Sequence, residues 1–167
     1  MNRWVQERMS IESALRAALA EGGAGLWLAY QPQVDLADAR LVGVEALARW
    51  QHEEWGEVSP SRFIALAEET GLIHELSAWV LRGACRQLAQ WRRQGLRVPS
   101  VSVNLSPMDF HNPELPVLIG AELARHGLAA RDLVVEMTEG ILLDGDPNTQ
   151  ATLQRVHALG IRLAMDD

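Results

Sequence analysis

Glu45 stands in an otherwise apolar run, Val42-Gly43-Val44-Glu45-Ala46-Leu47-Ala48-Arg49-Trp50. In an extended strand side chains alternate sides, so Glu45, Leu47 and Arg49 share one face and Val44, Ala46 and Ala48 the other. Charge on a buried strand is costly unless something pairs with it. A metal ion answers Glu45, and a phosphate answers Arg49. Residues of the same kind close later apolar segments: Asn104 in Val103-Asn104-Leu105-Ser106, Glu136 in Glu136-Met137-Thr138-Glu139, and Asp166-Asp167 after Ala164-Met165. Together they form an oxygen-only set of hard ligands. Such a set suits Mg²⁺ or Mn²⁺ rather than zinc, with Ca²⁺ as a competitor expected to inhibit. Two adjacent aspartates can divide between two metals, and a two-metal site stabilises the attacking and leaving oxygens of a phosphoryl displacement. Singly, each residue has a plainer reading. Glu139 or Asp167 suits a helix cap or a solvated loop, Asn104 suits a turn, and Glu45 suits a pair with Arg49 or Arg40. The joint pattern is more specific, because every candidate lies at the same end of its strand.

The elements that must position these residues follow from periodicity. Strands are expected over 26–34 and 41–50. The connection 35–40 is short, so the two run antiparallel. Ser59 and Pro60 open a helix that Gly71 ends. Ile73, Leu76, Val80, Ala84, Leu88 and Trp91 fall at helical spacing, with a stop at Gly95. Strands over 98–105, 133–137 and 161–165 then alternate with helices over 113–126 and 148–159. This order predicts an α/β fold with a parallel sheet and helices outside it. In such folds the carboxyl ends of the strands form one rim, where active sites sit. Residues 5–20 read as a helix with a loose apolar stripe, broken by Glu21-Gly22-Gly23-Ala24-Gly25. Residues 1–25 are expected to be an N-terminal linker helix, with a helix packed on the domain as the alternative.

Composition narrows the function classes. A chain of 167 residues, 48% hydrophobic and 22% charged, is sized for one domain with a real core. Its formal charge of −7 argues against binding a nucleic acid polymer or an anionic membrane surface. A small anionic ligand remains compatible, since bound cations invert the local charge. The single Cys85 excludes an internal disulfide and fits a reducing, cytoplasmic compartment. No apolar run in this segment approaches the roughly 20 residues that span a bilayer, and Met1-Asn2-Arg3-Trp4 does not open a signal peptide. The histidines lack ligand spacing. Arg86, Arg92 and Arg93 read as a solvated basic face on their helix.

The motifs also carry a resemblance. Tyr30-Gln31-Pro32, Glu45-Ala46-Leu47-Ala48-Arg49-Trp50, Glu69-Thr70-Gly71-Leu72-Ile73, Val103-Asn104-Leu105-Ser106, Glu136-Met137-Thr138-Glu139 and Asp166-Asp167 occur in one order from residue 26 to the end. In these the chain resembles the EAL family of cyclic di-GMP phosphodiesterases. The resemblance implies a TIM-type (β/α) barrel with an antiparallel first strand. About five of its eight strands would lie within this chain, making 26–167 an incomplete barrel cut after the double-Asp motif. It implies that Glu45, Asn104, Glu136 and Asp166 hold one metal and that Asp167 with Asp166 holds a second. Arg49 would contact a substrate phosphate, and Gln31 and Leu47 the dinucleotide. The catalytic set implied is Glu45, Glu136, Asp166 and Asp167. The implied reaction opens one phosphodiester of cyclic di-GMP with a metal-activated water and releases linear pGpG. The family pattern continues with a lysine and further ligands beyond Asp167, so the chain by itself is expected to be weak or inactive and to self-associate, for example as a homodimer. An upstream sensory or GGDEF domain is a further expectation. A non-catalytic module that binds cyclic di-GMP or a protein partner is the alternative.

Overall fold

The computed structural model describes residues 3–166. The chain opens with α1 (Arg3–Ala20), then β1 (Leu26–Val34) and β2 (Leu41–His52). A short β3 (Gly56–Val58) precedes α2 (Pro60–Thr70) and α3 (Ile73–Arg93). Next come β4 (Val101–Asn104), a 3₁₀ turn (Pro107–His111), α4 (Leu115–Arg125) and β5 (Leu133–Thr138). The single-turn α5 (Gly140–Leu143), α6 (Pro147–Ala158) and β6 (Arg162–Asp166) complete the order.

The strands form one sheet in the order β1-β2-β4-β5-β6, with β3 paired to β2. β1 and β2 are antiparallel, as their short connection predicts, and the steps from β2 through β6 are parallel. The strand path therefore has the strand directions expected for the opening part of a barrel. β3 escapes the sequence pattern because it is only three residues long. Gly56 makes its turn at φ 72°, and the His52 Nδ1 accepts the Glu54 amide at 3.1 Å.

Register gives the two sheet faces opposite characters. Val44 pairs with Val101, which pairs with Leu133; Val103 pairs with Val135. These side chains and Ala46 and Met137 are buried against the helices. Trp50 and Phe63 meet edge to face at 5.7 Å between ring centroids and fill the corner under β2. Cys85 is fully buried on α3 and lies in the same core. Burial pushes its thiol up to about 12, so it packs as a hydrophobe. α1 buries Ile11, Leu15 and Ala18, and packs on α2 and α3.

Gly43 permits the close approach of β2 to β4. A Cβ there would stand 2.6 Å from the Ser100 Oγ, while the Val44 amide reaches the Ser100 carbonyl at 3.0 Å. Gly71 ends α2 in the left-handed region at φ 83°. Ser59 starts that helix without a side-chain cap, its hydroxyl lying 2.9 Å from that of Ser61.

One expectation is corrected here. The strand expected over 98–105 begins only at Val101. The carbonyls of Val98 and Pro99 are taken by the Arg92 guanidinium at 3.2 and 3.0 Å, and Pro99 has no amide to give a ladder. Arg92 lies on the exposed face expected of it, as do Arg86 and Arg93, but its guanidinium is engaged there: it also donates to Asp132 at 3.0 Å and holds that carboxyl below its usual range against the cost of burial.

Candidate active site

The second face of the sheet carries the candidate site. Ser102 lies beside Glu45, Glu136 beside Asn104, and Asp166 beside Thr138, all in parallel register. Gln31 lies opposite Glu45 across the antiparallel pair. Side chains two residues apart point the same way, so Gln31, Gln33, Glu45, Ser102, Asn104, Glu136 and Asp166 share one face near the carboxyl ends of the parallel strands.

Side-chain geometry binds part of this set together. The Asn104 Nδ2 donates to the Glu45 Oε2 at 3.0 Å, and the Gln33 Nε2 donates to the Glu136 Oε1 at 3.4 Å. Glu136 has its carboxyl pushed above the ordinary range, first by burial and then by the negative charge of Glu45, with Asp166 adding to it. Hydrogen bonds from Gln33 and Ser102 relieve this in part. Glu45, one strand removed on β2, and Asp166 on the adjoining β6 thus both repel the Glu136 anion across a half-open face. Glu45 pairs with Asn104, and no ion pair joins it to Arg49 or Arg40 among the described residues.

The donor chemistry fits a hard divalent cation: carboxylate oxygens from Glu45, Glu136 and Asp166, with the amide Oδ1 of Asn104. Among the described residues no group of three or more acidic, His or Cys side chains is yet drawn close enough to hold a metal ion. Asp167 lies outside the described residues.

Arg49 and Leu47 stand farther along β2 on the same face, opposite Trp27 and Ala29. Arg49 is half-buried and donates to the carbonyl of Ala48 at 3.2 Å. A pocket of about 300 Å³ opens here, lined among others by Leu47, Arg49, Ile64, Glu68, Asn104 and Ser106. Ala46 and Ala48 of the helix-facing side and Ile73, Leu76 and Val80 of α3 also line it, so it opens between the far part of β2 and the helices. The fold therefore brings Glu45, Asn104, Glu136 and Asp166 onto adjoining strands, and sets Leu47 and Arg49 at the pocket beside them. Sequence reasoning missed Gln33 and Ser102, which tune Glu136. Their signal was the alternation that places Gln33 on the face of Gln31 and Ser102 on the face of Asn104.

The EAL domain family profile matches residues 12–167. The chain belongs to the EAL domain family. It is 40% identical over 167 residues to the oxygen sensor protein DosP of Escherichia coli K12, covering 100% of this chain and 21% of DosP. It is 36% identical over 167 residues to the bifunctional diguanylate cyclase/cyclic di-GMP phosphodiesterase MucR of Pseudomonas aeruginosa PAO1, covering 100% of this chain and 24% of MucR. This EAL chain thus spans less than a quarter of either relative. Among solved structures, the PaMucR phosphodiesterase in complex with c-di-GMP superposes with a TM-score of 0.85 at 35% identity, over 95% of this chain and 63% of that one. The Xanthomonas citri FimX EAL domain in complex with c-diGMP gives 0.81 at 29% identity, over 97% and 62%. Among the described residues no helix is long and apolar enough to cross a membrane.

Proposed function

We propose that this EAL domain serves metal-dependent hydrolysis of cyclic di-GMP to linear pGpG. The observation that carries the reading is the shared face of Glu45, Asn104, Glu136 and Asp166, with Glu136 destabilised as an anion by its acidic neighbours. Mg²⁺ or Mn²⁺ held by these residues, with Asp167, would lower the pKa of a bound water and neutralise charge on the phosphoryl group. The chain's own residues do the remainder. Glu45 and Glu136 give the site its negative charge, Asn104 fixes the Glu45 carboxylate, and Gln33 orients Glu136. Arg49 suits a phosphate oxygen by its fork of donors. Gln31 and Leu47 suit contacts to the dinucleotide, and Leu47 lines the pocket beside Asn104.

Calorimetric titration of cyclic di-GMP into the chain, with Mg²⁺ and again with EDTA, tests the site itself. Binding with Mg²⁺ that disappears in EDTA is the expected result. Equal binding in both conditions, or none in either, overturns the metal-dependent reading for this chain.

A further inference from the structure

The β4 strand ends at Asn104, and what holds the next residues decides where that amide points. Leu105 continues the ladder through its amide to the Glu136 carbonyl at 2.9 Å. Ser106 then leaves the sheet and caps the 3₁₀ turn, accepting the Met108 amide on its hydroxyl. Asp109 closes the capping box by accepting the Ser106 amide at 2.9 Å. The same Asp109 oxygen accepts the Ser77 hydroxyl at 2.8 Å, from the inward face of α3. The Ser106 hydroxyl donates to Glu68 on α2 at 2.6 Å. Asp109 is 2% exposed and Ser77 5% exposed, so this polar tie runs through the core rather than over the surface. His74 is the remaining titratable group facing Asp109 within ion-pair reach, at 4.0 Å.

A buried carboxylate is an expensive tie for a loop, since its charge is removed from water. An apolar residue at the same place would bury equally well but would impose no direction on the Ser106 amide. Through Asp109 the tie from α3 reaches the backbone amide two residues beyond Asn104, while Glu68 of α2 holds the hydroxyl of the same residue. We propose that Asp109 is a positioning residue: through Ser77 and Ser106 it clamps the turn after β4 onto α3, and so sets the Asn104 amide against Glu45. The proposal rests on the reading of Asn104 and Glu45 as site residues, but the clamp has a readout that needs no metal.

The test follows the Asn104 side-chain amide by nitrogen–proton NMR in the full chain, assigned with Asn104→Asp. In the native chain the amide protons, bonded to Glu45, resonate away from the free-amide position. In Asp109→Ala they are expected to move to the free position. In Asp109→Asn, whose carbonyl oxygen still accepts the Ser106 amide, they are expected to stay. Ser77→Ala removes only the tether to α3, so it separates loss of the clamp from loss of fold; an intermediate shift is expected with thermal unfolding close to native. An Asn104 signal unchanged in both Asp109→Ala and Ser77→Ala overturns the clamp. Mn²⁺ titration then examines the reading beneath it. Paramagnetic broadening of the Asn104 amide in the native chain, with apparent affinity about tenfold weaker in Asp109→Ala and restored in Asp109→Asn, supports both. A native amide untouched by Mn²⁺ sinks the metal reading while the amide shifts still decide the clamp.

Discussion

The two faces of the sheet are built from the same short strands and behave as different materials. On the helix-facing side Val44, Val101, Val103, Leu133 and Val135 are buried in direct lateral register, and each finds apolar neighbours. On the other side Glu45 and Glu136 are only partly shielded and Asp166 is exposed; burial first, and then the charges of Glu45 and Asp166, raise the cost of ionising Glu136. One face is stabilised by what it excludes, and the other is destabilised by what it has gathered. Stability and site chemistry are thereby separated across the thickness of one sheet. Local violation of good packing at a functional site, supported by consistent packing elsewhere, is the pattern expected of a working fold.

Substitution on the buried face should break this separation most severely. Val103→Asp places an unpaired carboxylate where exposure is 0%. It is expected to cost at least about 3 kcal/mol and to leave the chain largely unfolded, as read by circular dichroism and thermal melting. A cooperative melt near the native temperature would show that the helix layer does not carry the fold.

Asp109 sharpens the comparison, because it is a carboxylate placed in the helix layer. Burial pushes it up from 3.8 to about 6, with Glu68 adding to the rise and Ser77, Ser106 and His74 opposing it. A carboxyl with the higher pKa in the folded state binds its proton more tightly there. Its stabilising contribution is therefore complete below pH 3.8 and is lost as pH rises through about 6. The native chain should lose up to about 3 kcal/mol across that window relative to Asp109→Asn. Parallel pH profiles from denaturant unfolding of the two chains would contradict this.

The smallest stability effect is expected on the open face. Glu45→Gln removes one of the repelling charges and keeps a group that can hydrogen-bond Asn104. The metal-free chain should be unchanged or more stable by about 0.5 kcal/mol, while Mg²⁺-dependent binding of cyclic di-GMP is lost. Retention of that binding, measured by calorimetry, would remove Glu45 from the site.

Much of this arrangement is legible in the sequence. The antiparallel start follows from a connection too short to cross over, and α2, α3 and α6 follow from apolar spacing with Pro and Gly at their ends. Residues Glu45, Asn104, Glu136 and Asp166 stand out as polar groups closing apolar strands. The shortened β4 was not legible, because Arg92 takes the carbonyls of Val98 and Pro99 from six and seven residues upstream in a geometry no local pattern encodes. Nor was β3, which three residues cannot announce.

Apart from β3 and the start of β4, the sequence by itself determined which segments are extended, which are helical and which side of each strand its residues occupy, because periodicity and backbone preferences are local. Only the tertiary structure decided that Asn104 meets Glu45, that Gln33 and Ser102 temper Glu136, and that Asp109 reaches Ser77. These depend on strand register and on helix packing across tens of residues. A shift of one residue in any strand would turn the same side chains to the opposite face.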